Sequence, residues 1–247
     1  MRGEAWALVG ALVCGGCGGS EACIDFADEV LLTAQVTDNG ERARVEVEMR
    51  RADLGEGSIS VKLCEDNGLR VDGVEMTQVK RPNGAVVYEA ELPEVAAKGA
   101  VSRRFELAGD DGVSEFTAEI DAPGFAITGP AVGAEVSRAA MLAITWTPAR
   151  EGDAKMAVKL ADKIDGDVCL GEPLELEELD DGEVVVAKAK VELAKETAAA
   201  NGACEAFVTL SRVSDAPLER ATGAALLHPD SVIRATTSRT VEFTSVP

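Results

Sequence analysis

The feature that most constrains this chain is a strict alternation of apolar and charged residues in short runs. In the stretch ERARVEVEMR, every second residue is apolar and the residues between are charged almost without exception. Alternation with a period of two is typical of β-strands that bury one face. The pattern recurs over residues 43–49, 59–63, 86–92, 116–120, 142–146, 156–160, 184–186, 206–210 and 241–243.

Clusters of turn-forming residues separate these runs. They are Asp38-Asn39-Gly40, Asn67-Gly68, Pro82-Asn83-Gly84 and Gly109-Asp110-Asp111-Gly112. Each combines residues that favour tight turns. Short strands at this spacing favour antiparallel β-sandwiches. Aromatic residues make up only 4% of the chain, so we expect a core of Val, Leu, Ile and Ala.

The alternation stops near Asp121-Ala122-Pro123-Gly124 and then starts again. With 247 residues, the chain has room for one large domain or for two of ordinary size. We therefore predict an all-β protein of two tandem antiparallel β-sandwiches, 23–123 and 124–247. A segment rich in Ala, Glu and Lys ends at Gly202, which predicts a strand to about residue 189 and a short helix over 192–200.

The second half opens with FAITGPAVGAEVSRAAMLAITWTP, which contains a Gly-Pro turn and an I-x-W-x-P strand. This stretch resembles the opening of an immunoglobulin-like or fibronectin type III-like sandwich. The resemblance implies that Trp146 is the core indole of an early strand.

The N-terminus has the order of an export signal. Residues 6–16 form an apolar and glycine stretch that follows Arg2 and precedes small residues. The sequence then reads CGGCGGS from Cys14, which resembles the lipobox of bacterial lipoproteins. The resemblance implies a signal peptide over 1–16, lipidation of Cys17 and a tether over 17–22.

The same resemblance implies a location in the bacterial cell envelope, with the membrane bound through the N-terminal lipid. Gly18 follows the cysteine where Asp would favour the inner membrane, so we expect the outer membrane. The chain has no run of 18 apolar residues, which predicts no spanning helix. Secretion without lipid, and burial of 6–14 as a strand or helix of the fold, are the alternatives.

The six cysteines support an exported protein. If the first leaves with the signal and Cys17 carries lipid, four remain, and four allow three pairings. An exported chain with an even remainder favours disulfides over buried free thiols. We predict one bond in each half, Cys23 with Cys64 and Cys169 with Cys204.

Composition excludes nucleic acid as a partner. The chain has 44 acidic and 24 basic residues, a net charge of −20, and no basic run. Binding nucleic acid depends on clustered cations that neutralise phosphates. We interpret the excess acid as a solvated, self-repelling surface.

Catalytic motifs are sparse. The single histidine, His228, precedes a proline and is interpreted as a loop residue, because neither G-x-S-x-G nor H-E-x-x-H accompanies it. No glycine-rich loop opens a helix, so we predict no cofactor.

Paired carboxylates and calcium were the remaining chemical possibilities. The adjacent acids are Glu65-Asp66, Asp110-Asp111, Glu177-Glu178 and Asp180-Asp181, which we interpret as solvated turn residues rather than a glycosidase pair. Calcium could use Asp162, Asp165 and Asp167, or Asp110 and Asp111, but neither set matches a D-x-D-x-D-G loop. We therefore predict no metal site.

These features favour a role in binding, adhesion or scaffolding rather than catalysis, with an envelope protein as a possible partner. Fold class alone does not establish function. The alternative is an accessory or docking subunit of an exported enzyme or secretion complex. Sheet edges are common docking sites for such partners. A carboxylate-dependent hydrolase is a less favoured third possibility.

Overall fold

The computed structural model describes residues 23–24, 29–51, 60, 62–64, 67–93, 101–109, 112–121, 123–137, 139–162, 174–187 and 202–246. All regular structure in these ranges is β, and no helix occurs in them. The prediction of an all-β chain is therefore confirmed. The predicted helix over 192–200 lies outside the described residues.

In the described residues, the first half of the chain contains ten strands. They are β1 Cys23–Ile24, β2 Glu29–Asp38, β3 Arg42–Arg51, β4 Lys62–Leu63, β5 Gly68–Val71, β6 Val74–Glu75, β7 Thr77–Lys80, β8 Val86–Pro93, β9 Val101–Gly109 and β10 Gly112–Ile120. Where the alternation is longest, it sets the buried face as predicted, since Ala43, Val45, Val47 and Met49 of β3 are all buried.

Ten more strands lie in the part of the second half that the structure describes. They are β11 Ala126–Gly129, β12 Ala134–Ser137, β13 Leu142–Thr147, β14 Lys155–Asp162, β15 Leu174–Leu179, β16 Glu183–Val186, β17 Cys204–Pro217, β18 Glu219–Thr222, β19 Leu226–Leu227 and β20 Val232–Val246. The predicted strand near residue 189 ends earlier, because β16 stops at Val186 and Ala187 is not in a strand.

One large sheet contains strands from both halves of the chain. Its strands follow the order β15-β14-β17-β20-β2-β3-β8-β7, with β12 also paired to β20 and β19 paired to β2. A five-stranded sheet, β18-β10-β9-β5-β6, and a three-stranded sheet, β11-β13-β16, are separate from it. The short strands β1 and β4 pair with each other in parallel.

Two apolar cores lie between the large sheet and the two smaller sheets. The first core packs β2, β3 and β8 against β5, β9 and β10, and the second packs β14, β17 and β20 against β13 and β16. Along β17, Ala206 and Leu210 of the second core and Ala216 of the first core are separated by even numbers of residues, so their side chains point to the same face. Both cores therefore pack on the same face of the large sheet. The protein is thus two sandwiches that share a sheet.

The shared sheet depends on two long strands, β17 and β20. They pair without interruption from Cys204 opposite Ser245 to Pro217 opposite Val232. Near the start of β20, β2 pairs with it in parallel, although Thr33 and Val232 lie in opposite halves of the chain. The first core also takes Ala216, Leu218, Ala225, Ile233 and Ala235 from the second half. Residues in 124–247 therefore contribute to both cores. Two structurally independent tandem domains would not share residues in this way.

Of the turns predicted from Asp, Asn and Gly, those at 38–40 and 82–84 form as expected, whereas Gly68 begins strand β5. Asp110 and Asp111 of the fourth cluster lie outside the described residues. Between β2 and β3, the Asn39 side-chain oxygen accepts hydrogen bonds from the backbone N–H groups of Glu41 and Arg42, both at 3.0 Å. Gly40 has a φ of +93°, a conformation that glycine adopts without steric cost. This turn brings the charged residues of β3 beside the polar residues of β2.

Tyr88, the only tyrosine, lies in the first core at 4% exposure. Its hydroxyl oxygen accepts a hydrogen bond from the backbone N–H of Leu63 at 2.7 Å, and the hydroxyl donates to Gln78 Oε1 at 3.3 Å. Burial raises the pKa of the phenol, because the charged phenolate is poorly solvated there.

We expect the folded protein to titrate Tyr88 above the ordinary value of about 10. Since the folded state keeps the proton longer than the unfolded state, this group's contribution to stability is complete below about pH 10 and is lost as the pH rises through the folded pKa. Tyrosinate absorbance measured against pH should show this, with the urea-unfolded chain as the control. A folded midpoint at or below the unfolded midpoint would contradict the prediction.

Candidate functional site

The predicted disulfide between Cys23 and Cys64 is present. It lies beside the parallel pair β1 and β4, where the backbone N–H of Cys64 donates to the carbonyl oxygen of Ile24 at 3.0 Å. Cys204 is also disulfide-bonded. Its predicted partner, Cys169, lies outside the described residues, as does the predicted lipidation site, Cys17, so both assignments stay predictions.

Trp146 lies in the second core at 3% exposure, as predicted. Its indole Nε1–H donates to Asp180 Oδ1 at 2.6 Å. The interpretation of Asp180 as a solvated turn acid is therefore wrong, because this side chain is 1% exposed. Its neighbour Asp181 is exposed, as expected. The two adjacent acids differ because only the first points into the sandwich.

The charge of Asp180 is balanced by Arg212 of β17, which is fully buried. The guanidinium donates from Nε to Asp180 Oδ2 at 2.6 Å and from Nη2 to Oδ1 at 3.0 Å. It also donates from Nη1 to the carbonyl oxygen of Pro123 at 3.0 Å and from Nη2 to that of Pro148. The ring of Phe125 lies 4.7 Å from the guanidinium carbon, within the range of a cation–π contact.

Arg212, Asp180 and Trp146, which we call the buried clamp, lie where the two cores meet. Along β17, Arg212 stands between the second-core residue Leu210 and the first-core residue Ala216. The clamp joins β17 to the turn after β15, to β13 and to the segment between the sandwiches. A buried ion pair of this kind positions chain segments, and its burial keeps it from meeting a ligand.

Sequence reasoning missed Arg212, although the sequence carries a signal for it. Ala206, Val208 and Leu210 are the apolar residues of an alternating strand, and the next position of the same parity is Arg212. A charged residue on an otherwise buried face predicts an internal ion pair. Its partner could not be named from the sequence, because the chain has 44 acids to choose from.

The other chemical candidates do not converge. His228 lies in the connection between β19 and β20, where its Nδ1 accepts a hydrogen bond from the backbone N–H of Asp230 at 3.2 Å. Glu177 and Glu178 are successive residues of β15 and so point to opposite faces. Asp162 ends β14, and the remaining acids of the calcium and carboxylate pairs, Glu65, Asp66, Asp110, Asp111, Asp165 and Asp167, lie outside the described residues.

Two further searches cover the part of the chain that the structure describes. Within it, no three side chains of His, Cys, Asp or Glu are grouped so that they could hold a metal ion. In the same residues, no helix is long and apolar enough to cross a bilayer.

A polar groove of about 480 Å³ opens on the face of the large sheet that points away from the cores. We call it the arginine–glutamate groove. It is lined by Gln35 and Thr37 of β2, Asn39 of the turn, Arg42, Arg44 and Glu46 of β3, Arg81 after β7, and Glu91 of β8. Its size is that of an ordinary small-ligand site.

Strand register builds the groove. Arg44 of β3 lies between Thr37 on β2 and Glu91 on β8, so a basic side chain has an acceptor on each neighbouring strand. Two residues further along β3, Glu46 lies directly opposite Glu89, a pair of like charges that would destabilise the sheet by itself. Arg81 lies against both, with its Nη2 bonded to Glu46 and 2.7 Å from Glu89 Oε1.

The two outer arginines of the groove are open to solvent. Arg42 Nη1 is 3.2 Å from Glu91 Oε2, and Arg44 Nη2 is 2.7 Å from Glu89 Oε2. Hydrogen bonding to Glu89 and its charge raise the pKa of the Arg44 guanidinium, so it stays charged. The groove can thus offer charged N–H donors beside carboxylate acceptors.

Comparison with models of known protein families and with curated proteins found no match for this chain. Function is therefore inferred from three features of the molecule itself. These are the disulfide near the N-terminus, the shared sheet held by the buried clamp, and the arginine–glutamate groove.

Proposed function

We propose that this chain is a lipid-anchored protein of the bacterial cell envelope, with two immunoglobulin-like sandwiches that serve binding, adhesion or scaffolding rather than catalysis. The observation that carries the proposal is the Cys23–Cys64 disulfide, since disulfides form and persist in oxidising compartments such as the periplasm. Cys23 is six residues after Cys17, so a lipid there would join a short tether to a crosslinked sandwich.

The direction of β2 supports this arrangement. β2 begins beside β19 and runs parallel to β20 as far as Asp38. Asp38 lies near the place where the two cores meet, and it accepts a hydrogen bond from Arg239 at 3.2 Å. The chain thus enters the first sandwich at the end remote from the second. An anchor at Cys17 would place the first sandwich next to the membrane and the second sandwich away from it.

The position of the groove favours a binding role. Its residues Thr37, Asn39 and Arg42 lie at the end of β2 and the start of β3, remote from the end where the chain enters. A ligand in solution could reach this face with the protein held at the membrane. The buried indole of Trp146, on a three-stranded sheet that packs against a larger one, supports the immunoglobulin-like assignment.

Metabolic fatty-acid labelling in a bacterium that processes lipoproteins tests the anchor. We expect the wild type to carry label in the membrane fraction, and Cys17→Ser to lose both the label and the membrane association. Cys14→Ser is the matched control and should stay labelled, because Cys14 belongs to the proposed signal peptide and would be cleaved off. A Cys17→Ser variant that remains labelled and membrane-bound would overturn the proposal.

A further inference from the structure

The lining of the arginine–glutamate groove differs in charge from the rest of the molecule. Three arginines and two glutamates line it, and a third glutamate, Glu89, contacts Arg44 and Arg81, so charges balance here in a chain whose net charge is −20. The other lining residues are an asparagine, a glutamine and a threonine. A lining of this kind suits a ligand with several groups that both donate and accept hydrogen bonds, and its solvent-exposed arginines can take an anionic group.

The anionic group has a place to bind. The Arg42 and Arg44 side chains are 69% and 54% exposed, and they are two residues apart on one face of β3. A guanidinium presents five N–H donors in a planar fork that matches a carboxylate with two parallel hydrogen bonds. In the described part of the chain, Arg42 contacts Glu91 through one of these donors, so the fork retains donors for a ligand.

Hydroxyl groups have partners on the neighbouring strands. The carboxylates of Glu46 and Glu91 accept hydrogen bonds, and Thr37 can donate or accept. The Asn39 oxygen already accepts from two backbone N–H groups, which leaves its NH₂ group as a donor.

We propose that the groove binds a carboxylated saccharide unit, with the carboxylate on Arg42 and Arg44 and the hydroxyls on Glu46, Thr37 and Asn39. The inference rests on the binding role proposed above and names the ligand class. A peptide that binds by strand addition or in an apolar groove fits less well, because this groove is a polar sheet face.

Calorimetric titration of the purified full chain with a trimer of galacturonic acid tests the proposal. Maltotriose, a neutral trimer, and acetate, a carboxylate without hydroxyls, are the comparison ligands. We expect the acidic trimer to bind and to weaken with added salt, and we expect each comparison ligand to bind at least about tenfold more weakly, because each lacks half of the contacts.

Two variants distinguish a loss of binding at the groove from a loss of folding. Arg44→Gln should lower the affinity for the acidic trimer at least about tenfold, since it removes a charge-assisted pair. Arg50→Gln is the matched control, because Arg50 lies on the same face of β3 and is paired with Glu48 at 2.9 Å outside the groove. It should bind like the wild type. If Arg44→Gln fails to fold, Arg42→Gln replaces it.

No binding of the acidic trimer at millimolar concentration, equal binding of maltotriose, or unchanged affinity of a folded Arg44→Gln variant would each overturn the proposal. The titration is made in solution and does not depend on lipid. A negative labelling result with Cys17→Ser would therefore leave this test intact, and a negative titration would leave the anchor intact.

Discussion

Replacing Asp180 with alanine is expected to lower the free energy of unfolding by roughly 3 to 5 kcal/mol, because it leaves a buried arginine without its counter-charge. The carboxylate accepts from Arg212 Nε at 2.6 Å and from Trp146 Nε1 at 2.6 Å, so both donors lose their partner at once. Neither donor is reached by solvent, since Arg212 is 0% and Trp146 3% exposed. Urea unfolding followed by tryptophan fluorescence measures the change.

Asp181→Ala is the matched control for this prediction. Asp181 is the next residue, has the same charge and is exposed, so we expect its removal to change stability by no more than about 0.5 kcal/mol. Equal stabilities of the two variants would show that the buried clamp contributes nothing. The two variants lose the same charge at neighbouring positions and differ in the burial and the hydrogen bonds of the carboxylate that is removed.

The Asp180→Ala variant also tests whether the two cores unfold together. Trp146 reports on the second core and Tyr88 on the first. Since β17 and β20 contribute residues to both, we expect both probes to show one transition at a lower urea concentration. A shift of the tryptophan transition alone would mean that the first sandwich folds independently of the clamp.

Removing the Cys23–Cys64 disulfide, by replacing both residues with alanine, is expected to lower the free energy of unfolding by roughly 3 to 4 kcal/mol. The bond joins residues 41 positions apart, and without it the unfolded first sandwich gains the freedom of an open loop. It also tethers the two-residue strand β1, which pairs only through Cys23 and Ile24 with β4 in the described residues. Thermal unfolding of the variant and of the wild type measures the difference.

Peptide mapping without reduction provides the control for the disulfide prediction. A peptide that joins Cys23 to Cys64 is expected, together with one that joins Cys169 to Cys204. Any peptide that links the two halves of the chain would contradict the pairing.

The alternation in the sequence predicted the strands well because it reports a local property. In β3, Ala43, Val45, Val47 and Met49 alternate with charged residues and all are buried. In β14, Met156, Val158 and Leu160 are buried at the same spacing. The turn after β2 was predictable for a similar reason, since the φ preferences of glycine and asparagine are properties of single residues. The Cys23–Cys64 bond was predictable because only a few cysteines had to be paired.

The arginine–glutamate groove and the buried clamp were not predictable in the same way. The groove depends on the register of β2, β3 and β8, which places Thr37, Arg44 and Glu91 in one row. The clamp joins Asp180 to Arg212 across 32 residues, and Asp181 beside it would have looked identical in the sequence. Turn acids are usually solvated, so burial of this one follows from the packing around it.

Residues a few positions apart were enough to predict that this chain forms β-strands, which face is buried where the alternation is regular, and where some of its turns lie. Only the tertiary structure decided that the two sandwiches share one sheet. That arrangement rests on β2 pairing with β20, with Thr33 opposite Val232, two residues 199 positions apart in the sequence. Strands with similar alternation can pair in many combinations, and the choice is made by how all of them pack at once around the two cores and the ion pair between them.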